Sequence, residues 1–183
     1  MTDLSKYDNS WYNPGGNTLK RILWYFTNLL VIKNHWNPVS SLRVLTLRLF
    51  GAKIGRGVVI KPGVSVKYPW MLEIGDYSWI GEDVWIDNLA QVTIGANCCI
   101  SQGAMLLCGN HNYKLETFDL MVKSIIIEDG AWIGAQSTVC PGVMVKTHAI
   151  LSVGSVATNS LEAYSIYQGV PAAFKKIRTM KLY

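Results

Sequence analysis

The chain has 183 residues, half of them hydrophobic and only 16% charged, with a formal charge of +5 and a pI near 9.0. This composition excludes a disordered chain and fits one compact domain with a small appendage. No run of five or more Lys and Arg occurs, which argues against nucleic-acid binding; the mild basic excess suits an anionic membrane surface or a phosphorylated small molecule.

Residues 1–16 read as irregular, broken by Pro14-Gly15-Gly16. A helix is predicted from about Asn17 to Lys33, with Asn17 or Thr18 as N-cap. Its apolar run, Ile22 to Ile32, is too short to span a bilayer. Flanked by Lys20, Arg21 and Lys33, it reads either as a helix packed on its own protein, which is preferred, or as an interfacial helix in peripheral membrane contact. Ser40 to Phe50 reads as a second amphipathic helix, capped by serine, with Leu42, Leu45 and Leu49 on one face. Residues 1–50 thus form an N-terminal helical segment that caps the open end of a repetitive body.

From residue 51 a strict period appears. Ile54, Ile60 and Val66 are six apart; so are Ile74, Ile80 and Ile86, then Ile94, Ile100 and Leu106. Ile127, Ile133, Val139, Val145, Leu151 and Ala157 resume it. The residue four after an anchor is nearly always small, such as Ser78, Cys98, Ala104, Ser137 or Ser155, Trp70 being an exception. Glycine follows the anchor at Gly55, Gly75, Gly81, Gly95 and Gly134, as a tight corner would require. A period of six rejects an α-helix and specifies a hexapeptide-repeat solenoid, a parallel β-helix of three hexads per coil.

The count also locates the irregularities. Val66 to Ile74 and Ile86 to Ile94 each span eight residues, and Leu106 to Ile127 spans 21. All three fall at every third corner, so one edge bulges twice and then throws out a long loop, 107–126, containing His111. Long loops on regular bodies are more often functional than accidental. The β-helix is assigned to 51–160. Residues 161–183 are read as an extended Gly-Val-Pro segment followed by a short basic helix.

The four cysteines, Cys98, Cys99, Cys108 and Cys140, form no C-x-x-C pair, and no cleavable signal peptide is evident. They read as reduced, which predicts a cytoplasmic protein, peripheral at the inner membrane face if the first helix touches lipid. Of the three histidines, His35 lies outside the solenoid and His148 at a surface corner. His111 is the one in the loop. Trp79, Trp85 and Trp132 share a hexad position and predict an exposed tryptophan stripe for subunit contacts or sugar stacking.

The hexads, the looped histidine, "AWIGAQSTVCPGV" (131–143), "VGSVAT" (153–158) and "GVPAAFKK" (169–176) resemble the hexapeptide-repeat acyltransferases. "FGAKIG", "PWMLEIGDYSWIG" and "ISQGAMLLCGNHNY" are similar to the WcaF-like colanic acid biosynthesis group. That resemblance implies a mainly β, left-handed β-helix and a homotrimer with active sites between subunits. It also implies acetyl-CoA as cosubstrate and a sugar or glycan acceptor that is free or lipid-linked. His111 would be the general base; an imidazole titrating near 6.5 can take the proton of an attacking hydroxyl. Cys108 is left as a pocket residue. Asp87, Asn88 and Trp132 would bind the acceptor, with Asn88 equally readable as a turn residue satisfying backbone. Carried over for CoA are Gly134, Ala135, Ser155, Thr158, Pro171, Lys175, Lys176 and Arg178, the cations suiting phosphate or a solvated face. Val153 stands where the family often has alanine.

The expected function is therefore acetyl transfer to a sugar hydroxyl in exopolysaccharide or surface-glycan biosynthesis, the alternative being an amino-sugar N-acetyltransferase. A non-catalytic solenoid scaffold is a further alternative. A metal hydratase on the same solenoid needs three imidazole ligands. His35 and His148 are badly placed to join His111, so no metal is expected for catalysis.

Overall fold

The computed structural model describes residues 1–180. A helix α1 (Thr18–Thr27) is capped by the Asn17 side chain, which accepts from the Lys20 N–H. It continues as a π-helical turn, Asn28–Ile32. A second helix, α2 (Ser40–Leu49), has no side-chain cap. Ser40 Oγ is turned instead to the Ile60 N–H, at 2.8 Å, and ties the helix to the first coil.

The hexads then stack into three parallel faces. The first holds Lys53–Ile54, Leu72–Ile74, Val92–Ile94, Ile125–Ile127 and Met144–Val145. The second runs from Val59–Ile60 through Trp79–Ile80, Cys99–Ile100, Trp132–Ile133 and Ile150–Leu151 to Ser165–Gln168. The third holds Ser65–Val66, Trp85–Asp87, Met105–Leu107, Thr138–Val139 and Val156–Ala157. The result is a left-handed parallel β-helix of about six turns. Anchors fill the axis: Ile60, Ile80, Ile100, Ile133 and Leu151 are wholly buried. Most of the small residues four positions on, from Val58 to Ser155, are buried as well. At the regular corners the third residue after the anchor takes a left-handed conformation, as at Tyr77, Asp83, Asn97, Gln136 and His148.

The glycines directly after the anchors serve a different purpose from the one expected, because they do not have positive φ. A Cβ on Gly75, Gly81 or Gly134 would come within 2.6 Å of the backbone of the next coil. Close coil-to-coil approach, not backbone handedness, requires glycine there.

Three other expectations are corrected. Consecutive hexads lie on consecutive faces, so the tryptophans form no single stripe. Trp79 and Trp132 share the second face with Cys99 between them, and Trp85 lies on the third. Within the described residues the basic C-terminal segment is not a helix, and the last three residues of the expected one, 181–183, lie outside them. Ala173–Ile177 is a strand antiparallel to Ser165–Gln168, extending the second face. Pairing with an otherwise open strand edge satisfies the backbone and overrides helix propensity. Leu42, Leu45 and Leu49 do share a face of α2, but that face points outward. The helix buries Arg43, Val44, Thr46 and Leu47 instead.

Candidate active site

The long loop is a β-hairpin arm projecting from the edge between the third and first faces. Gly109–His111 pairs antiparallel with Leu120–Val122, His111 opposite Leu120. His111 stacks on Phe118, ring centroids 4.4 Å apart and ring planes nearly parallel. Its Nδ1 lies 2.9 Å from the Phe118 carbonyl oxygen. A carbonyl only accepts, so Nδ1 carries the proton, and in the neutral ring Nε2 keeps its lone pair.

The N-terminal segment packs onto this arm. The Asp3 N–H donates to the Glu116 carbonyl at 2.9 Å, and Lys6 pairs with the Glu116 carboxylate at 2.6 Å. Tyr7 lies against the His111 ring. The Tyr12 hydroxyl donates to the Leu89 carbonyl at 2.6 Å, and burial holds this phenol neutral, its pKa raised. Between segment, arm and coil lies a cleft of about 580 Å³, lined by Tyr12, Arg21, Lys67, Asp87, Asn110 and His111 among others. Lys67 Nζ is 2.9 Å from Asp87 Oδ1, too oblique for a good hydrogen bond. That oxygen is buried, while the Asp87 side chain lines the cleft beside Lys67. Sequence reasoning missed Tyr12, Arg21, Lys67 and Phe118. The first two sit in segments without a repeat, and Lys67 follows an anchor as any surface residue does.

Asn88 does not face the cleft. It is wholly buried, accepts from the Tyr68 N–H and donates to the carbonyls of Tyr68 and Met71. Its amide is consumed in clamping the bulge of the preceding coil, leaving nothing for an acceptor. Cys108 is likewise a core residue, its thiol pushed up to about 11 by burial. That excludes a thiolate nucleophile at neutral pH. Trp132 lies on the second face, its Nε1–H donating to Ser101 Oγ, away from the edge that bears His111.

The residues expected at CoA scatter. Thr158 lies on the His111 edge and lines a cavity of about 240 Å³ beyond the arm, with Asn110, Met121, Lys123, Cys140 and Pro141. Asn110 lines both this cavity and the larger cleft, so the arm divides the two. Gly134 and Ala135 sit on the edge between the second and third faces. Gly134 is buried with its N–H spent on Leu151, while Ala135 is half-buried. Ser155 points into the prism, where its hydroxyl accepts from the Gly169 N–H, and so cannot face a ligand on the outside. Pro171, Lys175 and Lys176 are exposed. Arg178 donates to the carbonyls of Gly130 and His148 and fastens the C-terminal strand to a corner. That commits its guanidinium to structure.

The three histidines occupy three different edges. His35 pairs with Asp83 between the second and third faces, and His148 turns the corner between the first and second. Among the described residues no group of three or more His, Cys, Asp or Glu could hold a metal ion.

No family model matches the chain. The chain is 37% identical over 174 residues to WcaF of Escherichia coli (strain K12), with 94% of each chain covered. That relative carries the name of a colanic acid biosynthesis acetyltransferase. A hexapeptide-repeat acetyltransferase from Vibrio cholerae superposes with a TM-score of 0.80 at 20% identity, covering 88% of this chain and 92% of that one. A galactoside acetyltransferase in complex with coenzyme A superposes with a TM-score of 0.78 at 22% identity, covering 88% and 82%.

Proposed function

The chain belongs to the WcaF-like hexapeptide-repeat acetyltransferases, and on that premise we propose that it moves an acetyl group from acetyl-CoA to a sugar or glycan hydroxyl in surface-glycan assembly, with His111 as general base. The observation that carries this is the Nδ1–H bond from His111 to the Phe118 carbonyl. It fixes the tautomer and leaves Nε2 as the proton acceptor in a cleft lined by hydrogen-bonding side chains. As the acceptor oxygen attacks the thioester carbonyl, Nε2 takes its proton. The carbon–oxygen bond forms, the carbon–sulfur bond breaks, and the imidazolium returns the proton to the departing thiolate. Asp87 accepts from a second acceptor hydroxyl and holds the sugar in place.

Thr158 and the cavity beyond the arm are proposed for the pantetheine end, with Ala135, Pro171, Lys175 and Lys176 toward the nucleotide. In one protomer Thr158 and Ala135 stand on different edges of the prism. A neighbouring copy would have to bring one set to the other, which supports the homotrimer the resemblance implies.

His111→Ala is expected to lower kcat by about 10²–10⁴-fold while circular dichroism and acetyl-CoA affinity stay unchanged. Full turnover in that variant would overturn the assignment. Acetylation across matched hydroxyl and amino sugars separates ester from amide formation, because alkaline hydroxylamine cleaves the ester product and leaves the amide.

A further inference from the structure

The two N-terminal helices turn their apolar faces outward. In α1 only Trp24 is buried, while Leu19, Ile22, Leu23 and Phe26 recur at helical spacing on exposed positions. α2 is inverted in the same sense, burying Arg43 and Thr46 and exposing Leu42, Leu45 and Leu49. The buried guanidinium is satisfied by the carbonyls of Ile32, Ile60, Asn34 and Asn37. The π-helical turn that continues α1 packs against α2 and is itself exposed at Leu29 and Leu30, and Trp36 in the link between the helices is 94% exposed. Two adjoining helices with leucine faces in water form an unpartnered apolar surface.

The charge around this surface says what covers it. From Asn9 to Leu72 the sequence has no Asp or Glu and nine of its 17 Lys and Arg. Lys53, Arg56 and Lys67 are answered by Glu73, Asp76 and Asp87 of the next coil, and Arg43 is buried. Lys20, Arg21, Lys33 and Lys61 have no carboxylate partner among the described residues, while Arg48 is held by the carbonyls of Ile54 and Gly55. Leucines and aromatics bordered by unopposed cations match a layer with acyl chains below and anionic headgroups above. Among the described residues no helix is long and apolar enough to cross a membrane, so the contact lies in the plane of the surface.

We propose that α1, the Asn28–Ile32 turn and α2 form a platform that docks this chain on an anionic bilayer, the leucines and Trp36 entering the headgroup boundary and the unpaired cations meeting the headgroups. This is independent of the acyl-transfer assignment. The wall of the cleft is shared with it: Arg21, Tyr25, Leu29 and Lys33 line a cavity of about 450 Å³ that joins the His111 cleft through Lys67, Tyr68 and Asp87. Docking therefore brings the cleft to the lipid surface.

The test is flotation of the full chain with phosphatidylcholine vesicles, with and without phosphatidylglycerol. The expected result is partition into the anionic vesicles that weakens at high salt. Leu23→Glu/Phe26→Glu, at exposed positions with the melting temperature as fold check, should lower partition about 10-fold or more. Lys20→Glu/Lys33→Glu, which leaves the leucines in place, should also lower it about 10-fold. Absence of flotation, equal flotation on neutral vesicles, or unchanged partition in both variants overturns the proposal. So does a Leu23→Glu/Phe26→Glu variant that sediments as a smaller species than the parent, because the face would then be a contact between copies.

Discussion

At the scale of single residues, position in the prism decides chemistry more than residue type. His111 and Cys108 are three apart in sequence, yet the imidazole lines an open cleft and the thiol is sealed in the core. Burial stabilises the neutral thiol, raising its pKa from 9.0 to about 11. The unfolded chain releases this proton at lower pH than the folded one, so the contribution is full below about pH 9 and is lost as pH rises toward 11. Denaturant melts across that window should show falling stability, with a shallower pH slope in Cys108→Ala. An identical slope would mean that other groups carry the alkaline loss. Asn88 makes the same point in reverse. An asparagine beside the cleft looks like a sugar ligand, and only its three backbone partners reveal a clamp.

At the scale of elements, the hexad corner and the arm obey different rules. A regular corner has a left-handed residue three after the anchor, and where glycine directly follows the anchor the neighbouring coil approaches too closely for a Cβ. Gly81→Ala places a Cβ 2.6 Å from the Gln102 nitrogen, inside the backbone of a neighbouring coil. It is expected to destabilise by roughly 1–3 kcal/mol through forced displacement. Gly154→Ala meets no atom within 4 Å and carries only the cost of its positive φ, about 1 kcal/mol. Urea midpoints of the two variants check the order, and a larger loss in Gly154→Ala would contradict the steric account. The arm is spaced out of the sequence by the break in period, but its hairpin register and its docking by Lys6 and Tyr7 are long-range contacts. No local pattern encodes them.

At the scale of the whole molecule, scattered site residues and an open cleft predict assembly. Sedimentation velocity should show a trimer; a monomer that turns over acetyl-CoA at full rate would show that one prism suffices. Much of the architecture is legible in the sequence. A period of six can only be buried by stacking coils, so the solenoid, its axis residues, the edge that bulges and the histidine on that edge are all determined by the sequence itself. Which of the neighbouring polar residues face the ligand is not. Asp87 and Asn88 are adjacent, and only packing against the previous coil turns one to the cleft and the other inward. The C-terminal strand, the outward leucines of α2 and the placement of Tyr12 and Arg21 beside His111 likewise belong to the tertiary structure. Each depends on which surface is already occupied when a segment arrives, and that information is carried by contacts between distant residues rather than by any periodicity within the segment.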